Sequence, residues 1–525
     1  MKDLKNILKV FFISFLILGC NDELLEKTDP GSGSVEAFFN NEDELVLGIN
    51  GIYNAFQGSW WGGSLIHIQP HLDGATDNAA ICCAWEYGFP AVATGNMSPT
   101  SGGIVAWKWT FGFQAVTRVN QMLGLIDDGI PGLEEANANK WRGELRFLRG
   151  FIYNEMATVY GDVPLITKVL TPEEASNVGR APKNEVINAI LADLTFAADN
   201  LETTPNRGDI GRPTKQAAMA LKGKVQLYND MFADAATTLG QVIAMEGGAV
   251  NLDSDYESLF NGSNEGSPEI LFSIQALGDG NGEGSFFQVH YAPPNLPSGN
   301  TAGGWNSMHY TRNLLDDYYM SDGMSISESP LYDPDNAYAN RDPRLTMSFL
   351  TPLPGTTWNG TVLEDDNFFF NGAAPDPVYA AQMILKKWSS EGTQNNGDTN
   401  VDFVLLRYAD VLLMYAEAQN EAVGPDATVY SAVNKVRARV GMPDFPVGLS
   451  QAEMREEIRH ERRIEFVMEG TRYYDLIRWR TAETVIPSIP NIENRNFDPS
   501  KNYLWPVPQS AVDSNPELIK QNPNY

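Results

Sequence analysis

Charged side chains that could perform acid–base chemistry are concentrated between Arg459 and Arg480, in the segment RHERRIEFVMEGTRYYDLIRWR. Glu461 and Glu465 lie one helical turn apart, as a paired acid and base could. A working acid needs a raised pKa, however, and the arginines beside them would keep both carboxylates ionised. We therefore predict two helices separated at Gly470 and locked by buried ion pairs, without catalysis. The predicted members are Glu461, Arg462, Arg463, Glu465, Arg472 and Asp475.

Two histidines have the spacing of metal ligands on a helix. They are His67 and His71, but Pro70 lies between them and would break that helix. Asp73, Asp77 or the two cysteines Cys82 and Cys83 could complete a site, yet no second pair of ligands with suitable spacing accompanies them. We predict no metal site here.

A glycine-rich loop begins like a calcium-binding loop. Asp279, Asn281 and Glu283 place oxygen atoms at alternate positions, but His290 stands where the closing bidentate glutamate belongs. We predict a flexible loop and no cofactor, with calcium as the alternative. The chain also has no nucleophile motif and only five histidines, so we predict that it is not an enzyme.

The net charge of −30 excludes nucleic acid as a partner, because little would neutralise phosphates. The chain of 525 residues is 43 % hydrophobic and includes 11 Trp, 20 Tyr and 25 Phe, which excludes a disordered protein. We expect some of these rings to be exposed and available to a ligand.

The first residues resemble a targeting segment. Three lysines precede the short apolar run 10–18, and Ile17-Leu18-Gly19 precedes Cys20 as in a bacterial lipobox. We predict a signal peptide at 1–19, lipid attachment at Cys20 and a tether at 20–34; removing 1–19 takes away three Lys and one Asp and leaves a charge of about −32. Cys82 and Cys83 are adjacent, and we expect two free or partly buried thiols.

Apolar periodicity predicts a mainly α chain. The predicted helices cover 140–160, 183–200, 217–228, 233–245, 407–422 and 429–440, among others, whereas 57–104 and 247–401 are irregular, with short strands. Gly223, Phe232, Ala235 and Leu239 fall at the offsets of a tetratricopeptide repeat, which predicts packed helix pairs. We predict an N-terminal part at 35–246 and a C-terminal part at 247–525, packed as one unit.

Several ordered motifs resemble those of the SusD/RagB family. They are Leu148–Phe151, Tyr160–Leu165, Asn340–Leu345, Glu461–Trp479, Leu504–Pro508 and Gln521–Pro523. The resemblance implies a SusD-like single globule with tetratricopeptide-type helix pairs and a loop-rich part. It also implies an outer-membrane, cell-surface lipoprotein that captures an oligosaccharide and delivers it to a SusC-like TonB-dependent transporter.

Other functions stay open at this point. The same role for peptides or another nutrient is the first alternative. A glycoside hydrolase would need two facing carboxylates, and no such pair is identifiable from the sequence. A purely structural assembly protein would bind no small ligand at all.

The proposed ligand site lies where the excursion 57–104 meets the irregular region 285–310. Sugars stack their flat C–H faces on aromatic rings, whereas amides bind hydroxyl groups. Our candidate platforms are Trp85, Tyr87, Trp305 and Tyr310, and the candidate polar partners are Asn78 and Asn306. Any one of these rings could instead belong to the core. We expect Trp107 and Trp109, at the start of a regular helix, to serve packing.

Overall fold

The computed structural model describes residues 39–57, 63–66, 68–278, 280, 282–292, 304–363, 382–392, 397–489 and 495–525. The predicted signal peptide, Cys20 and the tether lie outside the described residues. The same holds for His67, Asp279 and Asn281.

Helices form most of the regular structure, which confirms the mainly α prediction. No helix in the described ranges is both long enough and apolar enough to cross a membrane. In chain order they are α1 Glu42–Tyr53, α2 Phe89–Ala93, α3 Ile104–Asp128, α4 Glu135–Tyr160, α5 Pro172–Ser176, α6 Lys183–Asn200, α7 Lys215–Tyr228, α8 Phe232–Ile243, α9 Phe287–Tyr291, α10 Arg312–Asp317, α11 Arg344–Ser348, α12 Tyr408–Val423, α13 Ala427–Arg439, α14 Gln451–Glu465, α15 Thr471–Arg478, α16 Ala482–Val485 and α17 Gln509–Ser514.

Short strands form four antiparallel pairs in the described part of the chain: β1 with β3, β2 with β8, β4 with β7 and β5 with β6. Short 3-10 helices accompany them, including Gln69–Ala75. The strands are β1 Ala79–Ile81, β2 Ile270–Ile274, β3 Met308–Tyr310, β4 Phe349–Leu350, β5 Thr357–Trp358, β6 Thr361–Val362, β7 Ile384–Leu385 and β8 Phe403–Arg407.

The pair α7 and α8 shows why the predicted repeat forms. The Thr214 side chain accepts a hydrogen bond from the Ala217 amide and so caps α7. Gly223 lets the two helices approach, because a Cβ atom there would lie 2.5 Å from the Leu239 side chain. Helix α7 also packs on α6, and α8 on α12, so that each pair buries a face of the next.

One large core joins the two parts of the chain. Its buried residues run from Leu45 on α1 to Ile519 near the C-terminus. The helices of both halves therefore share one hydrophobic interior.

Arginines from distant segments neutralise the carboxylates of α14. The Glu465 carboxylate contacts Arg344 at 2.9 Å, Arg407 at 2.6 Å and Arg439 at 2.5 Å, while Glu461 contacts Arg344 at 2.5 Å and Arg437 at 2.9 Å. Burial would raise the pKa of Glu465, but these guanidinium groups outweigh it and hold the pKa well below its usual range.

The two arginines next to these carboxylates in sequence face elsewhere. Arg462 binds Asp475 at 2.9 Å and Asp410 at 2.8 Å, and Arg463 binds Asp317 at 2.7 Å. The expectation that Arg462 and Arg463 hold the carboxylates of α14 was therefore wrong in its pairing. Side chains adjacent in a helix point about 100° apart, so neighbours in sequence seldom share a partner.

The turn after α14 also differs in detail from the prediction. The helix ends at Glu465, and Gly470, with a φ of 73°, instead precedes α15. A Cβ atom at Gly470 would lie 2.6 Å from the carbonyl oxygen of Gln69. Glycine is needed here for both the left-handed backbone and the close approach.

Candidate functional site

A cleft of about 940 Å³ opens beside the start of α3. Its volume lies within the range of sites that hold small molecules. Four aromatic side chains dominate its wall, and glycine, alanine and serine residues fill the rest. The rings are Trp85, Tyr87, Trp107 and Trp305; the smaller residues are Gly88, Ala91, Ser101, Gly102 and Gly103.

The four rings form a continuous angled surface. Trp85 packs against Trp305 with ring centroids 5.6 Å apart and planes at 77°, and against Tyr87 at 6.4 Å and 79°. Tyr87 lies 5.9 Å from Trp107. Trp85 is 56 % exposed, although tryptophan is usually largely buried. The cleft therefore presents flat apolar faces to solvent.

The backbone between Glu86 and Gly88 directs the rings outward. Glu86 is fully buried, so the side chains on either side of it turn toward the cleft. Tyr87 has a φ of 43° and Gly88 a φ of 84°, a left-handed pair that turns the chain. The Tyr87 carbonyl then accepts a hydrogen bond from the Ile104 amide at 2.8 Å, which fixes it to α3.

Gly103 makes this junction possible. Its φ is 62°, and a Cβ atom there would lie 1.9 Å from the carbonyl oxygen of Tyr87. Its own carbonyl accepts from the Trp107 amide at 2.9 Å. Tyr87 and Trp107 are thus positioned by one tight glycine contact.

Cys82 and Cys83 form a disulfide, with Cα atoms 3.8 Å apart. Our expectation of two free thiols was wrong in this structure. The Cys82 amide donates to the Ser307 carbonyl at 2.9 Å, in line with the pairing of β1 and β3. The disulfide thus lies between this strand and Trp85, in the segment that carries the ring.

The opposite wall rests on α9. The Trp305 amide donates to the Val289 carbonyl at 2.6 Å, and its ring contacts that of His290 at 4.9 Å. Burial lowers the pKa of His290. Burial would raise the pKa of Glu86, but the facing His290 and His71 rings outweigh it and hold that pKa well below its usual range.

Polar groups are few among the described residues that line the cleft. Burial and the neighbouring Glu86 carboxylate raise the pKa of Tyr87 to about 12. Its phenol is therefore protonated at neutral pH. No carboxylate is among the described residues that line the cleft, so the facing pair that glycoside hydrolysis uses is missing there.

The structure brings together three of the four predicted platform rings, Trp85, Tyr87 and Trp305. Tyr310 is not with them: it is 1 % exposed on β3 and packs on Phe349 at 4.7 Å. The prediction for Tyr310 was wrong because strand pairing turns its ring toward the core.

The two predicted polar partners are also buried. Asn78 donates to Asp73 at 3.0 Å and accepts from Arg463 at 2.8 Å, so it belongs to the ion-pair core. Asn306 is buried, with a φ of 46°, and is not among the described residues that line the cleft. Neither is placed to bind a ligand in this cleft.

Trp107 is the ring that the sequence reasoning missed. Trp109 is buried against Tyr160 at 5.3 Å, as expected of a packing residue. Trp107 lies two residues earlier, about 200° around the helix, and so faces the cleft. Val105, two residues before Trp107 and so also on the opposite side of the helix, is buried, which agrees with this direction.

A second cleft, of about 950 Å³, lies between α1, α3 and the loop before α9. Its lining is more polar, but two of the polar groups are already engaged. Arg118 donates to the Gly51 carbonyl at 3.1 Å and Gln57 to the Gln275 carbonyl at 2.9 Å. It has no comparable row of exposed rings among its described lining residues.

Comparisons with known proteins identify the family. Residues 268–525 match the model of the SusD family, and residues 93–227 match a family described as starch-binding associating with outer membrane. SusD-like protein P2 of Formosa agariphila is 27 % identical over 541 aligned residues, covering 99 % of this chain and all of the relative.

Solved structures give the same result. A SusD-like carbohydrate binding protein of Bacteroides fragilis matches with a TM-score of 0.79 and 25 % identity, over 92 % of this chain and 99 % of its own. Surface glycan-binding protein A of Bacteroides thetaiotaomicron, in complex with laminarihexaose, matches with a TM-score of 0.72 over 92 % and 100 %; at 18 % identity it supports the fold alone. The chain belongs to the SusD family.

Proposed function

We propose that this protein captures an oligosaccharide at the cell surface and performs no chemistry on it. The observation that carries the proposal is the cleft lined by Trp85, Tyr87, Trp107 and Trp305. Neutral sugars offer flat C–H faces for such rings and need no charged partner. A ligand without charge also fits the strongly acidic chain.

The relatives support a carbohydrate ligand. The B. fragilis protein of the same fold is described as carbohydrate binding, and the family matched by residues 93–227 is described as starch-binding. The sugar, its linkage and its length are not specified by these likenesses.

A glycan panel tests the proposal. The full-length protein, purified in detergent, is run through gels that contain starch, laminarin and other plant, fungal and host glycans, and each retarding glycan is then titrated by calorimetry. We expect at least one saturable binder whose chain length is unchanged after incubation. Binding of peptides alone, or release of reducing ends, would overturn the proposal.

We further propose that the protein is lipid-anchored at Cys20 in the outer membrane and passes its ligand to a SusC-like TonB-dependent transporter. The outer-membrane association in the matched family's description supports this location. Replacing Cys20 with Ser should release the protein from the membrane fraction. Co-purification of a large barrel protein with the wild type is the expected sign of the transporter.

A further inference from the structure

Three buried side chains converge beneath the aromatic cleft. His71 comes from the 3-10 helix Gln69–Ala75, Glu86 from the turn before α2 and His290 from α9. Each is at most 1 % exposed. They join segments that lie up to 219 positions apart in sequence, and both walls of the cleft rest on them.

The donor atoms have the spacing of a metal site. Glu86 Oε2 lies 3.5 Å from His71 Nε2 and 3.7 Å from His290 Nδ1, and the three side chains offer ligand atoms that all lie within 4.8 Å of one another. Ligands about 2.0–2.1 Å from a tetrahedral zinc ion are about 3.3–3.5 Å apart. A small inward movement of the imidazoles would close the site around one ion.

Two of these atoms face each other at 3.5 Å without forming a hydrogen bond. Neither His71 Nε2 nor Glu86 Oε2 has a hydrogen bond within the described structure. Buried polar atoms of native proteins are nearly always satisfied, and an orphaned carboxylate oxygen is among the costliest exceptions. A cation at the centre of the cluster would satisfy both.

The outer contacts orient the same ligands. Tyr291 Oη lies 2.7 Å from His71 Nδ1. In the tautomer in which Nδ1 carries the proton and donates to this oxygen, Nε2 has the lone pair that binds a metal. The Ser307 hydroxyl donates to Glu86 Oε1 at 2.8 Å and leaves Oε2 facing the histidines. Metal-binding histidines and carboxylates are usually held by partners of this kind.

We propose that His71, Glu86 and His290 bind one divalent transition-metal ion, for which Zn²⁺ is the natural probe. This departs from our expectation of no metal, which considered His67 with His71 and not residues more than 200 positions apart. Two imidazoles and one carboxylate are a ligand set that zinc uses, with a fourth position left for water. The proposal does not depend on glycan capture.

The ion would fix the two walls of the cleft relative to each other. Glu86 lies between Trp85 and Tyr87 in sequence, and the His290 ring contacts Trp305 at 4.9 Å. A metal bond to each of these supports would hold the spacing of the rings before a ligand arrives. Such preorganisation reduces the conformational entropy that the cleft loses when a ligand binds.

The test uses full-length protein, freed of metal by a chelator and then titrated with ZnCl₂ against a chromogenic competitor. We expect one equivalent of zinc per chain and a higher melting temperature with ZnCl₂ but not with CaCl₂ or MgCl₂. Co²⁺ in place of Zn²⁺ should give the visible absorption bands of a low-symmetry site.

Three variants and one control locate the ion. Glu86→Gln and His290→Ala should each lower the zinc affinity by more than about 100-fold. Ser307→Ala removes an outer contact of the ligands and should lower the zinc affinity by about 10-fold. His460→Gln removes a histidine that stacks on Tyr319 outside the cluster, and it should retain the metal.

Two results would overturn the assignment. One is the absence of stoichiometric zinc binding and of any zinc-dependent change in melting temperature in the wild type. The other is equal zinc affinity in Glu86→Gln, His290→Ala and the wild type. The wild-type measurement decides the matter even where a variant fails to fold.

Discussion

Replacing Trp85 with Ala should weaken glycan binding without unfolding the protein. Trp85 is 56 % exposed at the cleft, whereas Tyr87 and Trp305 are only partly exposed, so it offers the largest free ring face. Truncating an exposed side chain usually changes stability by less than about 0.5 kcal/mol. Affinity and stability should therefore separate in this variant.

The expected loss follows from the exposed area. A tryptophan buries up to about 250 Å² when fully covered, so 56 % exposure leaves roughly 140 Å² accessible. A sugar stacked on one face would cover about half of that, and at about 25 cal/mol per Å² this contributes about 1.7 kcal/mol. The dissociation constant should rise about 15- to 20-fold.

The assay is calorimetric titration with the tightest glycan of the panel, with melting temperatures measured in parallel. Leu47→Ala is the control, because Leu47 is 60 % exposed on α1 and outside the cleft. The double variant Trp85→Ala with Trp305→Ala should bind beyond the measurable range. Unchanged affinity in that double variant, with the fold intact, would refute the placement of the ligand.

Three further predictions address the supports of the fold and the cleft. Gly103→Ala should weaken glycan binding, since its Cβ would lie 1.9 Å from a backbone oxygen. Gly124→Ala on α3, outside the cleft, meets nothing within 4 Å and should bind normally in the same titration. Glu465→Gln should lower the free energy of unfolding by about 3–5 kcal/mol in denaturant titrations, because it leaves buried arginines uncompensated. Burial, together with the nearby Glu265 carboxylate, raises the pKa of Asp402 to about 7. The folded state therefore holds this proton more tightly than the unfolded chain does, and the free energy of unfolding falls as the pH rises from about 4 to 7. Asp402→Asn should remove this pH dependence, and its free energy of unfolding at pH 8 should exceed that of the wild type by at most about 4 kcal/mol.

Each of these has an outcome that would contradict it. Equal binding by Gly124→Ala and Gly103→Ala would show that the tight contact does not position the rings. Glu456→Gln changes an exposed carboxylate of the same helix and should lower the free energy of unfolding by less than about 1 kcal/mol. An equally small loss for Glu465→Gln would refute the stabilising role of the buried network. A wild type and Asp402→Asn that depend equally on pH would remove Asp402 as the titrating group.

The helices could be predicted from the sequence because their signals are local. Helix α6 has the predicted bounds, Lys183 to Asn200, and α7 begins directly after the Thr214 cap. Apolar periodicity and capping residues act within a few positions and need no knowledge of the tertiary fold. The close contact of Gly223 with Leu239 spans 16 positions between consecutive helices, and the offsets of the repeat motif predicted it.

The ion-pair partners could not be predicted in the same way. Glu465 pairs with Arg344, which lies 121 positions away in sequence. Only the tertiary fold determines which arginine lies next to this carboxylate. Sequence identified the residues to be neutralised but not their partners. The site had the same difficulty: Tyr310 and Trp305 are five positions apart, and strand pairing buries one while the other lines the cleft.

The ion-pair core and the cleft are connected through residues 73–103. Asp77 binds Arg472 and Arg463 at 2.9 and 3.0 Å, and Asp73 accepts from the Met468 amide at 2.7 Å, so the start of this segment is fixed to α14 and α15. A few residues later the same segment carries Trp85 and Tyr87 into the cleft.

This connection explains how an irregular segment can hold rings in place. Loops usually tolerate change because few buried groups hold them, but here buried carboxylates fix the beginning of the segment, and Glu86 and the contact at Gly103 fix its end. Residues 73–103 therefore form a surface held at both ends, from a sequence without helical periodicity. The abundant arginines of the C-terminal motif then serve the cleft indirectly, by holding the chain that carries its rings.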